Sequence, residues 1–96
     1  MENNKVQLLK GKRITLLNGM RFRDTSYSGL VKQMQKSTWL EENKIEYMAG
    51  VARRSKIYTG QEITYTGPEQ FVKELHRIGI ITELEEFSRF YQNEQH

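Results

Sequence analysis

The chain contains no cysteine, and that absence removes structural disulfides, thiolate metal sites and cysteine nucleophiles together. Long hydrophobic runs are missing too. The N-terminal apolar patch of Val6, Leu8 and Leu9 is interrupted by Gln7 and stops at Lys10, Lys12 and Arg13, far short of a signal-sequence core or a membrane span. A cytoplasmic protein with no membrane partner is the expectation. There are two histidines, His76 and His96, and they form no metal-ligand spacing with each other or with a carboxylate cluster. No metal and no cofactor is expected.

Catalytic signatures are equally sparse. Gly11-Lys12 invites comparison with a phosphate-binding loop, but Val6 stands where the first glycine is needed and Arg13 where serine or threonine is needed. The one aspartate, Asp24, lies beside a candidate helix cap, and Glu83, Glu85 and Glu86 fall in what reads as the first turns of a helix, where helix dipoles account for acids. Ser26, Ser28, Ser37, Ser55 and Ser88 lack the flanking glycines of a nucleophile elbow. A non-enzymatic protein is expected.

What is present is the composition of a folded domain: 96 residues, 36% hydrophobic and 28% charged, enough for one modest core. The chain reads as a single α+β domain over 1–96 with a frayed tail at 92–96. Its net charge of +3 conceals a split. Residues 1–60 carry 12 Lys/Arg against 5 Asp/Glu, and residues 61–96 carry 3 against 7. Such a molecule can meet a polyanion with its first part, pair its own two parts, or pair with a second copy.

Ile14, Leu16, Met20 and Phe22 alternate with Arg13, Thr15, Arg21 and Arg23, the period of two of half-buried strands. This predicts an antiparallel β-hairpin over about 12–25. A three-residue loop, Leu17-Asn18-Gly19, pairs Leu16 with Met20 and Ile14 with Phe22 and gives one clean apolar face, whereas a two-residue Asn18-Gly19 turn leaves apolar residues on both. A further strand is predicted near 62–66, and Val6–Leu9 is a candidate for another, making a three- or four-stranded sheet. Three to four helices are predicted over it. The first, capped by Thr25, buries Tyr27, Leu30, Val31 and Met34, and the second opens at a Thr38–Glu41 capping box and buries Ile45, Met48, Val51 and Ala52. The third, from a Thr66–Glu69 box with Pro68 in its first turn, buries Phe71, Val72 and Leu75. A fourth, from a Thr82–Glu85 box, would turn Leu84, Phe87, Phe90 and Tyr91 inward.

The segments 18–34 and 59–75 resemble each other at an offset of 41 residues, with Gly19/Gly60, Thr25/Thr66, Val31/Val72 and Lys32/Lys73 identical. Strand, cap and amphipathic helix impose much of this likeness by themselves. If both copies form, two strand-to-helix units place their strands in one sheet.

Two kinds of candidate binding residue follow. Arg13, Arg21 and Arg23, with Lys10 and Lys12, are expected on the hairpin's solvent face, where a basic ribbon suits a polyanion or an acidic partner. No exposed aromatic interleaves them for base stacking. Trp39, Tyr47 and Tyr58 are amphipathic residues of the kind that anchor protein contacts. The function expected first is protein–protein contact, as an adaptor, an inhibitor or a homo-oligomeric assembly, with another protein or a second copy as partner. Contact with DNA or RNA, mainly through phosphates, is the alternative.

Overall fold

A computed structural model describes the backbone of residues 6–38 and 42–92 and the side chains of 10–38 and 42–88. The order of elements is β1 (Val6–Leu16), β2 (Arg21–Asp24), α1 (Tyr27–Lys36), α2 (Lys44–Thr59), α3 (Pro68–Arg77) and β3 (Ile81–Gln92). The three strands form one antiparallel sheet in the order β2-β1-β3, so the fold is α+β.

The hairpin has the three-residue loop and the register that its alternation demands. Leu16 N–H donates to the Met20 carbonyl at 2.8 Å, the Leu16 carbonyl accepts from Gly19 N–H at 2.9 Å, and Ile14 lies opposite Phe22. Gly19 sits at φ 90°, a left-handed conformation that a side chain would strain. The Asn18 side chain closes the turn by accepting from Met20 N–H at 3.0 Å.

Residues 81–92 are a strand and not the fourth helix that their spacing suggests. Ile81 and Leu84 are three apart, which strict alternation would send to opposite faces. The register slips between Thr15 and Leu16, so that Ile14 faces Leu84 while Leu16 faces Ile81. This irregularity brings both residues to the core. The spacing of Leu84 and Phe87 that suggested one inward helical face instead sets them on opposite faces of the strand, Leu84 beside Ile14 on the core side and Phe87, expected inward, beside Gly11 on the outer side. Long-range pairing with β1 over Val6–Leu16 overrides the local capping signal, as tertiary context commonly does. Gln92, assigned to a frayed tail by the sequence, closes this ladder opposite Val6; residues 93–96 lie outside the described residues.

The strand expected near 62–66 does not form either. Its alternation is real, since Ile63 is buried and Tyr65 packs edge-on against Phe71 at 5.2 Å, but its backbone bonds to α3 side chains and not to a strand. Thr64 N–H donates to Glu74 Oε1 at 3.2 Å, Thr66 N–H donates to Gln70 Oε1 at 2.9 Å, and the Glu62 carbonyl accepts from Arg77 Nη2 at 3.1 Å. The second half of the proposed repeat therefore contributes no strand to the sheet, and the two-unit architecture drawn from it fails.

Helix starts shift by a residue or more from the expected caps. Ser26, not Thr25, caps α1 by accepting from Gly29 N–H at 2.9 Å. At α2 an Asn43–Glu46 capping box closes in both directions, at 2.8 and 3.3 Å. The Thr38–Glu41 box falls largely on residues 39–41, outside the described residues. Gly67 precedes α3 with no side-chain cap, and Pro68 fills the first turn, where the missing N–H costs nothing.

α1 and α3 cover one face of the sheet, and α2 is stacked outside α1. α1 lies on β1 and β2, and α3 lies on β3 and against α1. Ile14, Leu30, Val31, Phe71, Val72, Leu75 and Ile81 are fully buried between these layers. Phe71, Val72 and Leu75 place one stripe of α3 at the centre of that core. Phe71→Ala is expected to lower stability by about 3–5 kcal/mol as a large core truncation, read from the urea midpoint; an unchanged midpoint would contradict this placement.

Candidate contact surfaces

β1 alternates, and its two parities build two different surfaces. Odd residues face away from the helices in cross-strand rows: Arg23, Arg13 and Glu85 in one, Arg21, Thr15 and Glu83 in the next, and Gly11 with Phe87 in a third. Arg13 Nε donates to Glu85 Oε1 at 3.1 Å, and Arg13 Nη2 makes a second, shorter contact to the same oxygen. Thr15 Oγ1 donates to Glu83 Oε1 at 2.9 Å. The basic residues of the hairpin thus have acidic neighbours from β3, a strand that the sequence reading did not place beside them. A groove of about 480 Å³ crosses these rows, lined by Arg13, Arg21, Glu83 and Glu85 and reached by His76 of α3.

Phe87 gives this face an aromatic centre that the sequence did not reveal. Its ring tip lies over Gly11, where an added Cβ would stand 2.3 Å from Cζ; glycine in mid-strand is the signal of such a close approach. The guanidinium carbons of Arg13 and Arg23 lie 5.8 and 5.4 Å from the ring centroid, within cation–π range.

Lys12 does not join Arg13, Arg21 and Arg23. Strand alternation turns it to the opposite face of β1, where Nζ donates to the Thr25 carbonyl at 3.1 Å and stands 5.1 Å from the Tyr27 ring. Lys10, exposed, shares the parity of Lys12 and pairs in register with Ser88. The expected five-residue cluster is therefore a three-arginine face with the two lysines off it. Beside Lys12, the Tyr27 hydroxyl donates to Glu86 Oε2; burial first, and then the bonded carboxylate, push this phenol well above its ordinary range. Tyr27 is held as a neutral donor that joins α1 to β3.

Among the three amphipathic candidates, Trp39 lies outside the described residues. Tyr47 is buried, and burial pushes its phenol up to about 12. It belongs to the core because α2 turns Tyr47 and Met48 inward and leaves Ile45 exposed, a rotation of the expected stripe. Tyr58 is 72% exposed. With Leu16, Leu17, Asn18 and Ile80 it lines a groove of about 300 Å³ at the hairpin tip. Leu17 is itself 51% exposed, and Ile57 beside Tyr58 in the chain is 79% exposed. Leu17 and Ile80 were not candidates from sequence, since a turn residue and a helix-exit residue carry no periodic signal.

Among the described residues no three His, Asp or Glu side chains gather as a metal site requires, and no helix is long and apolar enough to cross a membrane. Comparison with protein-family models, curated proteins and solved structures finds no match to this chain.

Two expectations follow from these contacts. Glu85→Arg sets a third positive charge beside Arg13 and Arg23 in one cross-strand row and should cost about 0.5–1 kcal/mol, while E85R combined with R13E should recover most of the loss in a denaturation series; a double variant that recovers nothing would mean that the pair is not formed. Asp24 is held below its ordinary value of 3.8, first by the Gln33 side chain and then by Ser26 N–H. Its stabilisation is therefore present above that value and disappears as pH falls through the lower folded-state value. Asp24→Asn should accordingly destabilise at neutral pH and show a shallower acid limb in pH-dependent melting.

Proposed function

We propose that this protein is a non-catalytic interaction module that acts by protein–protein contact, as an adaptor, an inhibitor or an assembling subunit, in the cytoplasm. The observation that carries the reading is the apolar groove at the hairpin tip, where Leu17 and Tyr58 are exposed together beside Ile80. Large apolar and aromatic side chains grouped in this way are what a partner's anchor residues need.

Nucleic-acid contact is the second reading, and one observation favours it: Arg13, Arg23 and Phe87 stand together on the sheet face away from the helices, a pairing of cation and aromatic that suits single strands. Glu83 and Glu85 on the same face weaken it, because Arg13 already has a carboxylate partner and a phosphate would have to displace it. The test is size-exclusion chromatography with light scattering, at low and high salt, with and without mixed-sequence RNA and DNA. Elution unaffected by nucleic acid is expected. A complex that forms at low salt and dissociates at high salt would overturn protein contact in favour of the phosphate-binding reading.

A further inference from the structure

β3 is an edge strand of 12 residues, and among the described residues its outer side has no backbone partner. The other edge, β2, is only four residues long. Long exposed edges are templates for another strand, and charged residues along them decide which strand is accepted.

The direction of each amide on β3 follows from the hairpin. Leu16 N–H and C=O both bond across to the β2 side, to Met20 and Gly19, so Ile14 and Lys12, of the same parity, also face β2. Residues of odd number face β3, as the bond from Leu17 N–H to the Ile80 carbonyl at 2.8 Å and that from Thr82 Oγ1 to the Thr15 carbonyl at 3.2 Å both show. Their register partners Glu83, Glu85 and Phe87 direct their main-chain groups to β1, which leaves those of Leu84, Glu86 and Ser88 directed outward.

We propose that β3 pairs antiparallel with β3 of a second copy of this chain, about a twofold axis at Phe87, joining the two sheets into one continuous sheet. The strand's own sequence selects that register. A twofold pairing must match residues of equal parity, so the axis passes through a residue. Placed at Glu85, Glu86 or Arg89, it sets a charge against its own copy, which is unfavourable. An axis at Ser88 sets Glu85 opposite Tyr91 and Glu86 opposite Phe90, with no opposite charges matched. The axis at Phe87 sets Glu85 opposite Arg89, Leu84 opposite Phe90, Glu83 opposite Tyr91 and Glu86 opposite Ser88, each occurring twice. It also overlaps nearly the full length of the strand. Phe87 then meets its own copy in the close, non-hydrogen-bonded type of pair, while Glu86 and Ser88 exchange main-chain hydrogen bonds across the seam.

The inference rests on the protein-contact reading and names its partner. The test is sedimentation equilibrium of the full chain together with two variants. The unmodified chain is expected to be a dimer. Ser88→Pro removes an outward N–H from each copy while leaving the ladder to β1 intact, so it should weaken the dimer about thirtyfold with an unchanged circular dichroism spectrum. Because the chain has no cysteine, Phe87→Cys should oxidise to a covalent dimer, since the close antiparallel pair holds Cα atoms about 4.5 Å apart, within disulfide reach. Ser88→Cys, one position off the axis, should not. If Ser88→Pro fails to fold, the two cysteine variants decide alone. A chain that stays monomeric at every concentration, or a dimer that crosslinks at 88 and not at 87, would overturn the proposal. A monomer indifferent to nucleic acid defeats self-pairing only, whereas a salt-sensitive nucleic-acid complex defeats the protein-contact reading beneath it.

Discussion

The pairing of β1 with β3 holds the rest of the molecule in place. It joins residues about 70 positions apart, as the Arg13–Glu85 contact with a separation of 72 shows, and so it closes the chain over all three helices. Loop closure over such a distance carries an entropic cost that only a cooperative core can offset. That core needs the strand in turn. Ile81 and Leu84 supply the sheet side of the contact with α3, and without them the buried stripe of Phe71, Val72 and Leu75 would have less to pack against. The register slip at Thr15/Leu16 is the local adjustment that brings both β3 residues to the same layer.

The same pairing determines what the outer face can do. A hairpin with Arg13, Arg21 and Arg23 on one side would by itself be a strongly basic ribbon. With β3 beside it, each arginine row continues to a glutamate, and the face becomes a mixed-charge surface around Phe87. The charge split along the chain is thereby resolved in part within one molecule. Arg13 meets Glu85 across the sheet, Lys12 lies opposite Glu86 in register, and Lys56 reaches Glu62 at 3.8 Å. Exposed pairs of this kind add little to stability; the Arg13–Glu85 pair also sets a carboxylate on the arginine face, which lowers the attraction of that face for polyanions.

Two surfaces exposed among the described residues differ in chemistry. The groove at the hairpin tip is apolar, built from the turn residue Leu17, the α2 terminus at Tyr58 and Ile80 just before β3. The β3 edge is polar in backbone and patterned in charge. An assembling module that uses both would join copies along the sheet and keep the tip groove for a partner of its own.

The hairpin, its loop and its register were legible in the sequence because short-range alternation and a glycine turn leave few alternatives within a dozen residues. The buried stripes of α1 and α3 were legible for the same reason, since Leu30 and Val31, or Phe71, Val72 and Leu75, lie within one or two turns of each other. The candidate site was legible only in its arginines. Their acidic and aromatic neighbours, the departure of Lys12 to the other face, the burial of Tyr47 and the groove at Tyr58 all depend on β3 and on helix rotation. By itself the sequence determined an α+β chain with a basic hairpin, no thiol chemistry and amphipathic helices, because those properties are local or compositional. Only the tertiary structure decided that residues 81–92 extend while 62–66 do not join the sheet. Both segments alternate or cap well enough for either state, and the choice lies in which one β1 accepts across a separation of some 70 residues.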